Sequence, residues 1–253
     1  MNLFFREQGK GSTILLIHGF CETHKIWDGF DKKLSRYGRV ISIDLPGFGM
    51  SPLPAGPVSI DLIAEIILAW LKERKIEAPV LVGHSLGGYV ALAMAARDPA
   101  FCKKLVLFHS SAYADTDEKK TNRDKVIEFV ITNGVEPFIK TFVPTLFYDK
   151  EHPRMDMVRK ICHGTPASTL IEYTKAMRDR PSHESLLRNF HNPILILAGD
   201  KDEIIPSDIS EKMASLNPKI TIFHLSNTGH MGMIEAEAEA IEKIAWFGGI
   251  LSD

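Results

Sequence analysis

A serine hydroxyl is a weak nucleophile near neutral pH until a neighbouring imidazole takes its proton, and a carboxylate must hold that imidazole in the productive tautomer. The sequence offers all three groups. Ser85 stands in Val80-Leu81-Val82-Gly83-His84-Ser85-Leu86-Gly87-Gly88-Tyr89. This Gly-x-Ser-x-Gly pattern suits a sharp turn from a strand into a helix, where side chains at 83 and 87 would strike neighbouring backbone. The helix that follows aims its positive end at the reacting centre. Among ten histidines, position selects His230, on a loop after the last strand run and between Gly229 and Met231-Gly232. His24, His152, His163, His183 and His191 fall in helices or connecting stretches, where a surface place is the default. His84 is expected to point away from the serine, and His109, at a strand end, is a candidate pocket wall. Two carboxylates follow the run Ile194 to Leu197. Asp200 comes directly after Gly199, where the chain must turn. Asp202 lies deeper in the loop that Pro206 closes, with room to reach His230.

Acyl transfer also needs two backbone N–H groups directed at the developing oxyanion. Leu86, the residue after the nucleophile, offers one, and Phe20 in His18-Gly19-Phe20-Cys21 offers the other. No Cys-x-x-Cys or His-x-x-x-His spacing occurs, so neither a metal nor any other cofactor is expected.

These groups need a scaffold that brings loop ends together. Thr13 to Ile17, Val40 to Ile43, Val80 to Val82, Leu105 to Phe108, Ile194 to Leu197 and Ile220 to Phe223 are short apolar runs without alternation, as parallel strands buried on both faces require. Helical spacing intervenes at Ile60 to Lys75, Leu86 to Arg97, Ser207 to Leu216 and Glu235 to Phe247. The pattern predicts an α/β fold with a doubly wound, mostly parallel sheet, whose ligands bind at the carboxyl ends of strands. The alternation stops between residues 111 and 191. That stretch reads as helices only: Glu118 to Thr132, Val135 to Phe142, Met155 to Cys162, Thr169 to Met177 and a turn near Ser185 to Phe190. We read residues 1–110 and 192–253 as a core domain and 111–191 as an inserted helical cap, because one crossover needs only about a dozen residues.

The chain has 253 residues, enough for one such domain with an insertion. Lys plus Arg is 30 and Asp plus Glu is 32, a net charge of −2. No long basic run appears, which argues against nucleic acid as a partner. No apolar stretch approaches about 18 residues, so no membrane-spanning helix is expected. Three scattered cysteines, Cys21, Cys102 and Cys162, argue against a disulfide framework, and the amino-terminal residues do not resemble a signal peptide. A cytoplasmic protein acting on a small molecule is the expectation, and the oligomeric state is left open.

Five motifs in order carry a resemblance: His18-Gly19-Phe20, Asp44-Leu45-Pro46-Gly47-Phe48-Gly49-x-Ser51, Gly83-His84-Ser85-Leu86-Gly87-Gly88, Gly199-Asp200-Lys201-Asp202 with Pro206, and Gly229-His230-Met231. The chain resembles the α/β-hydrolase superfamily, in its branch of small serine esterases, over nearly its whole length. The resemblance implies a triad of Ser85, Asp202 and His230 and selects Asp202 over Asp200. It implies hydrolysis of a carboxylic ester through an acyl-enzyme, and the mostly apolar residues of the cap stretch, among them Phe129, Phe138, Phe142, Phe147, Met155 and Met177, point to a small, mainly apolar substrate. Ser85 argues against relatives that use aspartate there, the haloalkane dehalogenases and epoxide hydrolases. A carbon–carbon bond hydrolase or lyase on the same triad is an alternative, although the menaquinone-pathway synthases usually carry Arg where Tyr89 stands. A triad-bearing small-molecule receptor is the remaining one.

Overall fold

A computed structural model describes residues 1–249. The chain order is β1 (Phe5–Gln8), β2 (Thr13–Ile17), a 3-10 turn (His24–Trp27), α1 (Phe30–Leu34), β3 (Arg39–Ile43), α2 (Ile60–Glu73), β4 (Val80–His84), α3 (Leu86–Arg97) and β5 (Lys104–Phe108). Five helices follow without a strand: α4 (Asp117–Asn133), α5 (Val135–Thr145), α6 (Met155–His163), α7 (Ala167–Asp179) and α8 (Glu184–Asn189). β6 (Ile194–Gly199), α9 (Ser207–Ala214), β7 (Ile220–Leu225), α10 (Gly232–Glu235) and α11 (Glu237–Phe247) complete the described residues.

The seven strands form one sheet in the order β1-β3-β2-β4-β5-β6-β7. Only the β1–β3 pair is antiparallel. β4 and β6 are buried at every residue, which explains their unbroken apolar sequences. Each fully buried Leu, Ile or Phe contributes about 1.5–3 kcal/mol by leaving water. The sheet core contains many, including Ile14, Leu15, Leu16, Leu81, Leu107 and Ile196.

Register decides what meets at the strand ends. Ile17 pairs with Gly83, and Gly83 with Leu107. The loops after β2, β4 and β5 therefore leave the sheet side by side. α2 starts where Ser59 Oγ accepts the Leu62 N–H at 3.1 Å, and it packs against α3. α3 is buried from Leu86 to Ala95, covered by β2, β4 and β5 of the sheet and by α2.

β1 was not foreshadowed by the sequence pattern. It is an edge strand with a polar sequence, Phe-Arg-Glu-Gln, and it is only partly covered. α1 was also missed: five residues are too few to show a helical period. No helix among the described residues is long and apolar enough to cross a membrane.

Candidate active site

Ser85 lies between the end of β4 and the start of α3 with φ at +49°, in the left-handed region that serine rarely adopts. Its neighbours hold it there. The Ser85 N–H donates to the Phe108 carbonyl at 2.9 Å, and its own carbonyl accepts the Gly88 N–H at 2.9 Å and the Ser110 hydroxyl at 2.8 Å. A β-carbon at Gly83 would collide with the Gly87 backbone, and one at Gly87 with the carbonyls of Ile17 and His18. The close approach at Gly87 sets the loop after β2 against the start of α3. Neither the Phe20 nor the Leu86 N–H has an acceptor among the described residues.

His230 and Asp202 are in contact. His230 Nδ1 lies 2.8 Å from Asp202 Oδ2, and both side chains are buried. Asp202 Oδ1 accepts the N–H groups of Ile204 at 2.9 Å and Ile205 at 3.0 Å. A second imidazole reaches Oδ2: His109 Nδ1 at 3.1 Å. Burial alone would raise this carboxyl, but the two imidazoles hold it far below the usual carboxylate range. Asp200 has a different place. Its carboxylate accepts the Thr228 N–H at 3.2 Å, and its side chain is about one-third exposed.

His109 does not line the cavity beside Ser85; it sits behind Asp202, fully buried. Gly232 N–H donates to its Nε2 at 3.2 Å, while its Nδ1 lies 3.1 Å from Asp202 Oδ2 and 3.3 Å from the Gly199 N–H, so both ring edges are enclosed by polar partners. Desolvation pushes its pKa down to about 4 and keeps the ring neutral.

His84 also departs from expectation. His84 is among the residues that line the cavity at Ser85, and its ring runs to Glu22 and the His230 backbone. Nδ1 is 3.1 Å from Glu22 Oε2, and Nε2 is 2.9 Å from the His230 carbonyl oxygen. Both ring nitrogens face acceptors, an arrangement that favours the doubly protonated ring with Glu22 as its counter-ion. The Glu22 carboxylate opposes the desolvation that would discharge His84, raising its pKa, and His84 in turn lowers that of Glu22. Glu22 Oε2 also accepts the Gly19 N–H at 2.6 Å. One buried ion pair thus joins the Phe20 loop to the His230 backbone. Glu22 and His84 are 62 residues apart, and only the β2–β4 register brings them together.

His24 is buried as well, with its Nδ1 2.7 Å from Asp44 Oδ1. Asp44 also accepts the Met50 N–H at 2.9 Å, an architectural use. His18 Nε2 accepts the Leu45 N–H at 2.9 Å, which ties the Phe20 loop to the Asp44 loop.

The cavity at Ser85 has a volume of about 50 Å³. Phe20, Phe142, Leu146, Met177 and Ile204 form its apolar wall, and His230 and Arg123 reach it too. Phe142 and Leu146 belong to α5 and its carboxyl end, and Met177 to α7. The His230 N–H donates to the Leu146 carbonyl at 2.7 Å. Glu235 secures the same junction, accepting the Tyr148 N–H at 2.8 Å and the Gly229 N–H at 3.0 Å. The stretch between β5 and β6 therefore touches the His230 loop directly. As to metals, ligand atoms of His109, Asp202 and His230 lie within 4.8 Å of one another. His109 Nδ1 and His230 Nδ1 both face Asp202 Oδ2, so those atoms are engaged with one another.

A family model described as alpha/beta hydrolase fold matches residues 12–237. The chain belongs to the alpha/beta hydrolase fold family. An AB hydrolase superfamily protein of Bacillus subtilis is 27% identical over 98% of this chain and 95% of its own length. A lipase of Moraxella, Lipase 3, is 24% identical over 89% of this chain and 74% of its own. Among solved structures, a thermophilic esterase from Thermogutta terrifontis superposes with a TM-score of 0.92 at 28% identity, covering 99% of this chain and 94% of that one. Membership in the alpha/beta hydrolase fold family accounts for the sheet order and for the site's position beyond the carboxyl ends of β2, β4, β5 and β6.

Proposed function

We propose that the protein hydrolyses a small carboxylic ester through an acyl-enzyme on Ser85. One observation carries the reading: Ser85, held at positive φ on the turn into α3, opens on the same cavity as His230, whose Nδ1 lies 2.8 Å from Asp202. In this reading the Ser85 oxygen attacks the ester carbonyl carbon while its proton passes to His230 Nε2. The oxyanion accepts hydrogen bonds from the Phe20 and Leu86 N–H groups, which have no acceptor of their own among the described residues. As the tetrahedral intermediate collapses, the imidazolium returns the proton to the departing alcohol. Water then attacks the acyl-enzyme, again giving its proton to His230, and the acid leaves. Asp202 stays ionised throughout, so it fixes the Nδ1–H tautomer and balances the imidazolium.

The esterase from Thermogutta terrifontis and the Moraxella lipase support an ester as the substrate class. The apolar wall supports an apolar group beside the scissile bond. We assign residues 111–191 the role of a cap, because α5 and α7 supply part of that wall. The test is turnover of p-nitrophenyl esters of increasing acyl length, beside Ser85→Ala. Hydrolysis that the alanine variant loses by at least about 10³-fold is expected. Equal rates in the two proteins would refute the reading.

A further inference from the structure

The cavity at Ser85 holds a cation that the proposed ester chemistry does not use. Arg123, on α4, lines it together with Tyr89 and Ile204. The same three residues line an adjoining open groove of about 260 Å³. These three residues thus form a wall common to cavity and groove, and Arg123 is presented at the boundary between them.

The Arg123 guanidinium is held by one edge. Its Nε donates to Asp115 Oδ2 at 3.0 Å, and Asp115 is buried. The other Asp115 oxygen accepts Arg180 Nη1 at 2.8 Å. Arg180 is engaged elsewhere through both terminal nitrogens: it also donates to the carbonyls of Met177 at 2.6 Å and Tyr113 at 2.9 Å, and stacks on Tyr89 at 4.0 Å. Two guanidinium groups share one carboxylate, which leaves this corner one positive charge in excess. The terminal nitrogens of Arg123 have no protein partner among the described residues. Other charges at the cavity and groove do not neutralise it. Glu22 is paired with His84, and Glu203 is largely exposed with Lys150 at 3.9 Å. Lys119 adds a further cation to the groove wall.

The geometry points to a subsite for a carboxylate on the substrate itself, bound end-on by the two terminal nitrogens of Arg123. The preferred substrate is then a half-ester: an ester whose acyl chain ends in an anionic group. An anchored guanidinium loses little freedom on binding a carboxylate, and its planar fork matches the two oxygens. This inference rests on the ester-hydrolase reading.

The experiment compares mono-p-nitrophenyl esters of adipic, pimelic and suberic acids with p-nitrophenyl alkanoates of matching length, for the wild type, Arg123→Gln and Arg123→Lys. The readout is the ratio of kcat/KM between the anionic and neutral series. At its best chain length the wild-type ratio should fall by about ten- to a hundred-fold in Arg123→Gln, the usual consequence of losing hydrogen bonds to a charged group. Arg123→Lys should recover part of it, since charge remains while the fork is lost. A ratio equal in all three proteins overturns the subsite, and so does a wild type that prefers the neutral series at every length. Failure of the underlying reading looks different: neither series is hydrolysed and a fluorophosphonate does not label Ser85.

Discussion

Two aspartates two positions apart differ in what they touch. Asp202 offers one oxygen to two imidazoles and the other to two backbone N–H groups. Asp200 offers one oxygen to the Thr228 N–H, and its other oxygen lies 3.7 Å from the Lys201 ammonium at the surface. On the proposed mechanism, Asp202→Asn should lower kcat by about 10⁴, as loss of the orienting carboxylate does in the serine proteases. Asp200→Asn should keep most of the rate and cost about 1 kcal/mol of stability. Steady-state kinetics and melting of both variants decide it, and an inactive Asp200→Asn beside an active Asp202→Asn would reverse the assignment. His109 gives a test in pH. Its folded pKa of about 4 lies below the ordinary histidine value near 6.5, so between those limits the unfolded chain binds a proton that the native protein does not. Stability from this group is complete above pH 6.5 and falls as pH drops toward 4, by roughly 2–3 kcal/mol. A His109→Gln variant lacks that term. The gap in Tm between wild type and variant should therefore shrink from pH 7 to pH 4.5, and a gap that stays constant or widens contradicts a neutral buried ring.

At the scale of elements, the crossing of β2 and α3 at Gly87 is the tightest joint near the site. Gly87→Ala would force a methyl group into the Ile17 and His18 carbonyls and move the Phe20 loop. It should cost about 1–3 kcal/mol and lower kcat, whereas Gly164→Ala, whose methyl would meet only Ile161 O at 3.3 Å, should change neither appreciably. Normal kinetics in Gly87→Ala would show that this contact does not set the loop. The inner strands were legible because burial on both faces leaves an unbroken apolar run, as in β4 and β6. β1 was not, because an edge strand can be polar and still pair, here with β3. Ser85, Asp202 and His230 could be named because each lies in a local motif. Glu22, His84 and His109 carry no such signal: their bonds span 62 to 146 residues and exist only once strands align. Arg123 was hidden likewise, as one cation on a helix whose charged face reads as solvated.

At the scale of the whole molecule, a sheet fixes the loop ends, and the helices between β5 and β6 that reach the Ser85 cavity are α4, α5 and α7. The sheet sets Ser85 beside the Phe20 loop through register, and the Glu22–His84 pair and Glu235 fasten the His230 loop from below and from the side. Helices α4, α5 and α7 bring Arg123, Phe142 and Met177 to the cavity, so on the proposed mechanism the sheet loops carry the chemistry and the helices the choice of substrate. All of this depends on Ser85 being an activated nucleophile. Reaction with a fluorophosphonate tests that most directly, since it needs no knowledge of the natural substrate. The protein should gain the mass of a single adduct, peptide mapping should place it on Ser85, and His230→Ala should slow the labelling by orders of magnitude. An unlabelled protein, or an adduct on any other residue, would contradict the account.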